Sequence, residues 1–235
     1  MADAPVLLLS CEHAANRIPP EYRRLFRDRR SLLSGHRAYD FGALACARAL
    51  GRSLRAPLIA AGYSRLLVDL NRSPGHPALF SQTTRGLSQA GKERLLAHYY
   101  HPHRARVEHG IGAHVEAGRR VVHVAVHSFT PVLDGVPRRA DIGLLYDPAR
   151  RMEAALCQRW CTALREGGGG LTVRRNYPYR GVSDGFTRYL RARFPATRYA
   201  GIELEINQRL LRRDAPARRR LAALLAATLR LAMRA

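Results

Sequence analysis

Residues 121–126, Val-Val-His-Val-Ala-Val, run directly into His127-Ser128-Phe129, and this stretch decides the fold. It is apolar and mostly β-branched, the composition of a strand buried in a sheet. A polar cluster stands at its carboxyl end. The same arrangement recurs elsewhere: Val6-Leu7-Leu8-Leu9 leads into Ser10-Cys11-Glu12-His13, and Leu66-Leu67-Val68 into Asp69-Leu70-Asn71-Arg72. Tyr199 through Ile202 leads into Glu203-Leu204-Glu205-Ile206-Asn207. In open α/β sheets the ligand crevice lies beyond the carboxyl ends of the strands. Four polar clusters in such places predict a site assembled from distant parts of the chain.

Outward from this frame, strand-like and helix-like segments alternate. Strands are expected at 57–60, 66–68, 142–146, 171–174 and 200–206. Helices are expected at 21–26, 40–50, 88–117 with a break at Pro102, 148–165, 184–194 and 215–235. Residues 73–87 read as a long loop, a class that is often functional. Gly167 to Gly170 reads as a helix-to-strand connection, since no phosphate-loop Lys-Ser/Thr follows. The alternation predicts one α/β domain over 1–235, with no internal repeat or linker.

The formal charge of +22 invites a nucleic-acid reading. Yet only one of the 40 basic residues is lysine, Lys92, and the arginines are scattered rather than clustered. That pattern is one of coding bias, and no zinc-finger spacing, aromatic RNA-binding signature or basic tail accompanies it. The 4 cysteines form no paired Cys-x-x-Cys units and read as buried free thiols. No signal peptide and no membrane span are expected, so the reading is a cytoplasmic enzyme.

His13 and His127 each follow an apolar strand directly, where a neutral imidazole faces the crevice. Two such histidines with carboxylates nearby suggest a zinc site with three protein ligands and one open position. The third ligand is Asp40 or Glu12. Glu12 adjoins His13 and in extended chain points to the opposite side, which favours Asp40. Glu203 and Glu205 share a strand face, and one of them is suited to general acid/base work. Arg65, Arg72 and Arg180 are candidates for holding a carboxylate or an oxyanion. His98, His101, His103, His109 and His114 lie in a polar helical region and are expected at the surface. His123 is expected deeper in the core.

Taken together, Ser-Cys-Glu-His-Ala-Ala-Asn-Arg-Ile-Pro (10–19), Tyr-Asp-Phe-Gly (39–42), Ser-Arg-Leu-Leu-Val-Asp-Leu-Asn-Arg (64–72), Val-His-Ser-Phe (126–129), Asn-Tyr-Pro-Tyr-Arg-Gly (176–181) and Leu-Glu-Ile-Asn-Gln (204–208) resemble the N-formylglutamate amidohydrolase family. The matches fall in the family's order and span about residues 5 to 212. The resemblance implies a three-layer α/β/α domain with a mixed, mostly parallel sheet, like the zinc exopeptidases (phosphorylase/hydrolase-like). It implies a Zn2+-dependent amidohydrolase that cleaves the C–N bond of an N-formyl or N-acyl amino acid, N-formylglutamate or a related acidic substrate. His13, Asp40 and His127 match the expected metal ligands, with Glu12 the reserve for Asp40. Glu205 matches the general base acting on a metal-activated water, and Arg65 the oxyanion-stabilising arginine. Asn71 and Arg72 match the grip on the substrate carboxylate; Ser128, Tyr179 and Arg180 complete the substrate-contacting set, with 176–181 as a lid. The carboxypeptidase His-x-x-Glu is absent, Asn16 standing three residues after His13, and Glu-His-Ala-Ala replaces the Pro-His-Ser-Gly of the histidine-degradation enzyme. The partner expected is a small N-acyl amino acid, not nucleic acid or membrane, and the protein a monomer or small homo-oligomer. An amidase or carboxypeptidase on a peptide or cell-wall fragment is the competing enzyme reading, and a non-catalytic anion or nucleic-acid binder the competing non-enzyme one.

Overall fold

The computed structural model describes residues 4–168 and 170–234. In chain order the elements are β1 (Val6–Cys11), a 3-10 helix (Pro20–Arg29), α1 (Arg30–Ser34), α2 (Ala43–Leu54), β2 (Leu58–Ala60) and α3 (Gln89–Leu95). A π-helical turn (Leu96–Tyr100) leads into α4 (His101–Glu116), followed by β3 (Val121–Phe129), β4 (Val132–Leu133), β5 (Val136–Pro137) and β6 (Ile142–Leu145). The chain closes with α5 (Arg151–Glu166), β7 (Val173–Arg175), α6 (Phe186–Arg193), β8 (Tyr199–Asn207), α7 (Gln208–Leu211) and α8 (Ala215–Met233).

Every residue of β3 and β8 is buried, and apolar residues dominate both strands apart from the polar ones turned to the site. They lie at the centre of one six-stranded sheet of order β2-β1-β3-β8-β6-β7. β2, β1, β3 and β8 are mutually parallel; β6 joins β8 antiparallel, and β7 pairs parallel with β6. The sheet is thus mixed and mostly parallel. Helices α2, α5 and α8 cover one face, over Leu9, Val122, Val124, Val126, Ile202 and Leu204. On the other face α4 and α6 cover Leu8, Val121 and Tyr199. The architecture is the expected three-layer α/β/α sandwich.

Two helices carry legible starts. Asp214 accepts the Ala217 N–H at 2.7 Å with a proline in the first turn of α8, and Ser88 accepts the Gly91 N–H at 3.2 Å to open α3. Pro102 stands in the first turn of α4, immediately after the π-helical turn, so the expected break is where proline tolerates it best.

Leu66 to Val68 is not a strand. Its backbone is taken by turns, with Leu67 N–H donating to Ser64 and Asp69 N–H to Leu79. Leu67 is fully buried in a small cluster with Ile18, Phe26 and Leu95. Three apolar residues are enough to bury a turn as well as a strand, and periodicity does not distinguish the two. The helix expected from Asp40 begins at Ala43, which frees Asp40 for other bonds.

Candidate active site

The strand pleat sorts the polar residues. Ser10 and Glu12 along β1 and its continuation, His123 and His127 on β3, and Glu203 and Glu205 on β8 all alternate onto the α4/α6 face of the sheet. Register makes them neighbours: Ser10 pairs with Ala125, and His127 with Glu205. The period of two that hides apolar residues on the other face delivers this array here.

At the carboxyl end of the sheet, ligand atoms from His13, Asp40 and His127 lie within 4.8 Å of one another, and all three residues are buried. Asp40 Oδ2 is 3.0 Å from His127 Nδ1 and 3.5 Å from His13 Nδ1. It also accepts the Ser128 N–H at 3.2 Å, while the Asp40 N–H donates to the His13 carbonyl at 3.0 Å. Asp40 therefore serves β3 and the β1 loop together rather than capping α2, whose N-cap is Gly42.

Each imidazole has a carboxylate behind its other nitrogen. His13 Nε2 hydrogen-bonds Asp69 Oδ1 at 2.7 Å, and His127 Nε2 lies 3.2 Å from Glu12 Oε2. Asp69 in turn accepts from Arg65 Nε and Nη2, at 3.1 and 2.6 Å. Burial opposes charge throughout, but the histidines and Arg65 hold Asp40 and Asp69 below the ordinary carboxylate range. His103 and His127 do the same for Glu12, and Asp40 and Glu12 raise His127 well above an ordinary histidine.

This donor set fits a divalent metal. His13 Nδ1 is buried with no hydrogen-bond partner and faces Asp40. Two imidazole nitrogens and one carboxylate oxygen, each imidazole backed by an acid, are a donor set and support suited to a divalent cation. Glu12, fully buried behind His127, stands on the far side of the ring from Asp40.

A cavity of about 370 Å³ opens beside the cluster and is lined by His13, His127, Asn71, Arg72, Arg180 and Glu205 among others. Arg65, Ser128 and Tyr179 line it as well, so the candidate ligands, bases and substrate-holding residues meet at this one place, Glu12 excepted. The two candidate bases differ. Glu203 accepts the Thr187 hydroxyl at 2.7 Å, whereas Glu205 Oε2 has no partner. Burial, together with Asp40 and Glu203, lifts the Glu205 pKa to about 7 against the pull of His127. Asn71 Oδ1 accepts the Phe186 N–H at 2.7 Å and so caps α6, and Arg72 Nη1 donates to the Asp184 carbonyl at 3.0 Å.

Segment 176–181, expected as a lid, packs against β6 and α6 in this structure. Asn176 Oδ1 accepts the N–H groups of Tyr146 and Gly181, at 3.1 and 3.0 Å, and the Gly181 carbonyl accepts from Arg191 at 2.6 Å. A Cβ at Gly181 would stand 2.2 Å from Tyr146 N, and one at Gly143 only 1.8 Å from the Tyr177 carbonyl oxygen. Only glycine fits at either position. His103 also departs from the surface position expected: it is 4% exposed, with Nε2 3.6 Å from Glu12 Oε1. Asp69 was within the quoted Asp-Leu-Asn-Arg motif and Asp184 near the turn-rich segment, but only the fold brings them to the site.

A model of the N-formylglutamate amidohydrolase family matches residues 5–212. Among solved structures, the gene product Atu2144 from Agrobacterium tumefaciens is 34% identical, with a TM-score of 0.84 over 98% of this chain and 91% of that one. The N-formylglutamate amidohydrolase from Ralstonia eutropha JMP134 is 23% identical, with a TM-score of 0.69 over 99% of this chain and 96% of that one, a likeness of fold. No curated protein matches the sequence significantly. With the family's ordered motifs converging on one buried cluster, this chain belongs to the N-formylglutamate amidohydrolase family.

Proposed function

We propose that this protein is a Zn2+-dependent amidohydrolase that cleaves the amide of an N-acyl amino acid, N-formylglutamate or a related acidic substrate, in a single catalytic domain over 1–235. The observation that carries the reading is the unpartnered Glu205 carboxylate opening into the same cavity as the His13–Asp40–His127 cluster. Those three residues would hold the metal, which when bound supplies Lewis-acid polarisation of the carbonyl and a more acidic water.

The remaining work falls to the chain's own groups. Glu205 takes a proton from the attacking water and returns it to the departing nitrogen; a pKa of about 7 suits both directions near neutrality. Arg65, clamped by Asp69 through Nε and Nη2, keeps Nη1 turned toward Asp40, 3.8 Å from its Oδ1, where it would stabilise an oxyanion. Arg72 and Arg180 offer charge to a substrate carboxylate. Asn71 offers its amide N–H groups, its oxygen being committed to Phe186. Tyr179 and Ser128 line the approach. Among the described residues no helix is long and apolar enough to cross a membrane. A cytoplasmic monomer or small homo-oligomer, with no nucleic-acid partner, belongs to the same reading.

The test is metal content of protein purified without chelator, alongside hydrolysis of N-formyl and N-acyl amino acids. About one zinc per chain, lost together with activity in a His13→Ala/His127→Ala variant, is the expected result. Full activity in metal-free protein would refute the proposal.

A further inference from the structure

The histidine–aspartate cluster has a cavity on each side. The second, of about 350 Å³, is bounded on its own side by His36, Arg37, Leu66, Phe129, Leu133 and Arg138. Asp40, Arg65, Ser128 and Tyr179 line both cavities, so they stand between the two. We propose that the second cavity is an acyl subsite, and that the enzyme's substrates carry an N-acyl chain longer than formyl that ends in a carboxylate, of the succinyl or glutaryl class. This rests on the reading of the site as an N-acyl amino acid hydrolase, with the amino-acid half lying on the Asn71–Arg72 side.

Three observations carry it. The first is size: a formyl group brings one carbon and one oxygen past the scissile bond, and both are consumed at the reacting centre. A cavity beyond that centre is surplus to a formyl substrate, and its volume lies in the range of sites that hold small molecules. The second is its walls, where Leu66, Phe129 and Leu133 offer apolar contact to methylene groups. The third is charge. The acids lining this cavity, Asp40 and Asp69, are engaged by His13, His127 and Arg65. Arg37 and Arg138 have no carboxylate partner among the described residues. Arg138 is also positioned, its guanidinium 5.2 Å from the Tyr179 ring centre and 5.9 Å from that of Phe129. A guanidinium held against two rings loses less freedom when it pairs with a carboxylate. The reaction stays a hydrolysis: the C–N bond breaks, water gives its hydroxyl to the acyl carbon and its proton to nitrogen, and a dicarboxylate and a free amino acid leave.

The test compares kcat/KM for N-formyl-, N-acetyl- and N-succinylglutamate on the zinc-loaded enzyme, in wild type, Arg138→Gln and Arg37→Gln. Calorimetric titration with glutarate gives a readout independent of turnover. The succinyl substrate should exceed the formyl one by about tenfold or more, and Arg138→Gln should lower it about tenfold while leaving the formyl substrate within about twofold. Arg37→Gln should act in the same direction. Equal or better use of the formyl substrate, indifferent to both variants, overturns the subsite. If no N-acyl amino acid is cleaved but glutarate binds and Arg138→Gln weakens it, the subsite stands and the hydrolase reading falls. If glutarate binding is absent or indifferent to Arg138, and no succinyl substrate turns over, the subsite is overturned.

Discussion

Two buried carboxylate regions flank the central strands of this protein, and they are built in opposite ways. On α5, Glu153 is fully buried and well supplied with donors: Arg191 Nε at 3.0 Å to each oxygen, Asp147 N–H at 2.9 Å and Gly201 N–H at 3.1 Å. Arg191 spends its remaining nitrogens on the Gly181 and Gly201 carbonyls, at 2.6 and 2.7 Å. At the carboxyl end of the sheet, Glu12 has neither oxygen hydrogen-bonded, and Glu205 leaves Oε2 and His13 leaves Nδ1 without partners. Buried polar groups left open are costly, so a fold keeps them only where something else completes them. The first region ties α5 to α6 and β8. The second is held ready for a ligand, a proton or a cation.

That contrast can be broken from either end. The largest effect is expected from Glu205→Gln, which preserves shape but removes the proposed base. Its kcat should fall by about 10²- to 10⁴-fold, with zinc content and unfolding midpoint near wild type; retention of activity would remove Glu205 from the mechanism. Glu153→Gln should do the reverse. Breaking a buried ion pair costs about 3–5 kcal/mol, so its urea midpoint should fall steeply. The folded fraction should keep its specific activity, and a stable variant would end the distinction drawn here.

His123 sharpens the comparison because it shares the site's sheet face yet has both ring nitrogens partnered, with Ser10 Oγ at 2.7 Å and Tyr199 OH at 2.9 Å. Burial pushes its pKa down to about 4. Between there and the ordinary histidine value the unfolded chain binds the proton more tightly, so stability is full above about pH 6.5 and is lost as pH falls toward 4. The contribution is about 3 kcal/mol over that interval. Unfolding of His123→Gln measured across it should show a shallower pH dependence than wild type; equal slopes would mean that His123 titrates normally. The smallest effect is expected at Glu12→Gln, which leaves the proposed metal ligands intact and loosens the support behind His127. Zinc affinity should fall about 10- to 100-fold, measured by competition with a chelator, and an unchanged affinity would assign Glu12 a purely structural role.

Much of the fold was legible because buried parallel strands are nearly continuous apolar runs. β1, β3 and β8 announce themselves in Val6 to Leu9, Val121 to Val126 and Tyr199 to Ile202, and the helices by their period and caps. Leu66 to Val68 failed for the converse reason: an apolar triplet in a turn looks like one in a strand. His103 failed because a helix rich in His and Arg reads as solvated, while the face toward Glu12 is closed over by the sheet.

The sequence by itself determined the strand-end clusters and which residue types each one supplies, since local alternation of apolar and polar residues is a property of neighbours in the chain. It also carried the ordered motifs of the family. That His13 leaves Nδ1 open toward Asp40, that Asp69 and Glu12 stand behind the two rings, and that Glu205 rather than Glu203 is free were decided only by tertiary structure. Those facts depend on distances between residues tens of positions apart, and on which hydrogen bonds remain after every nearer partner has been taken.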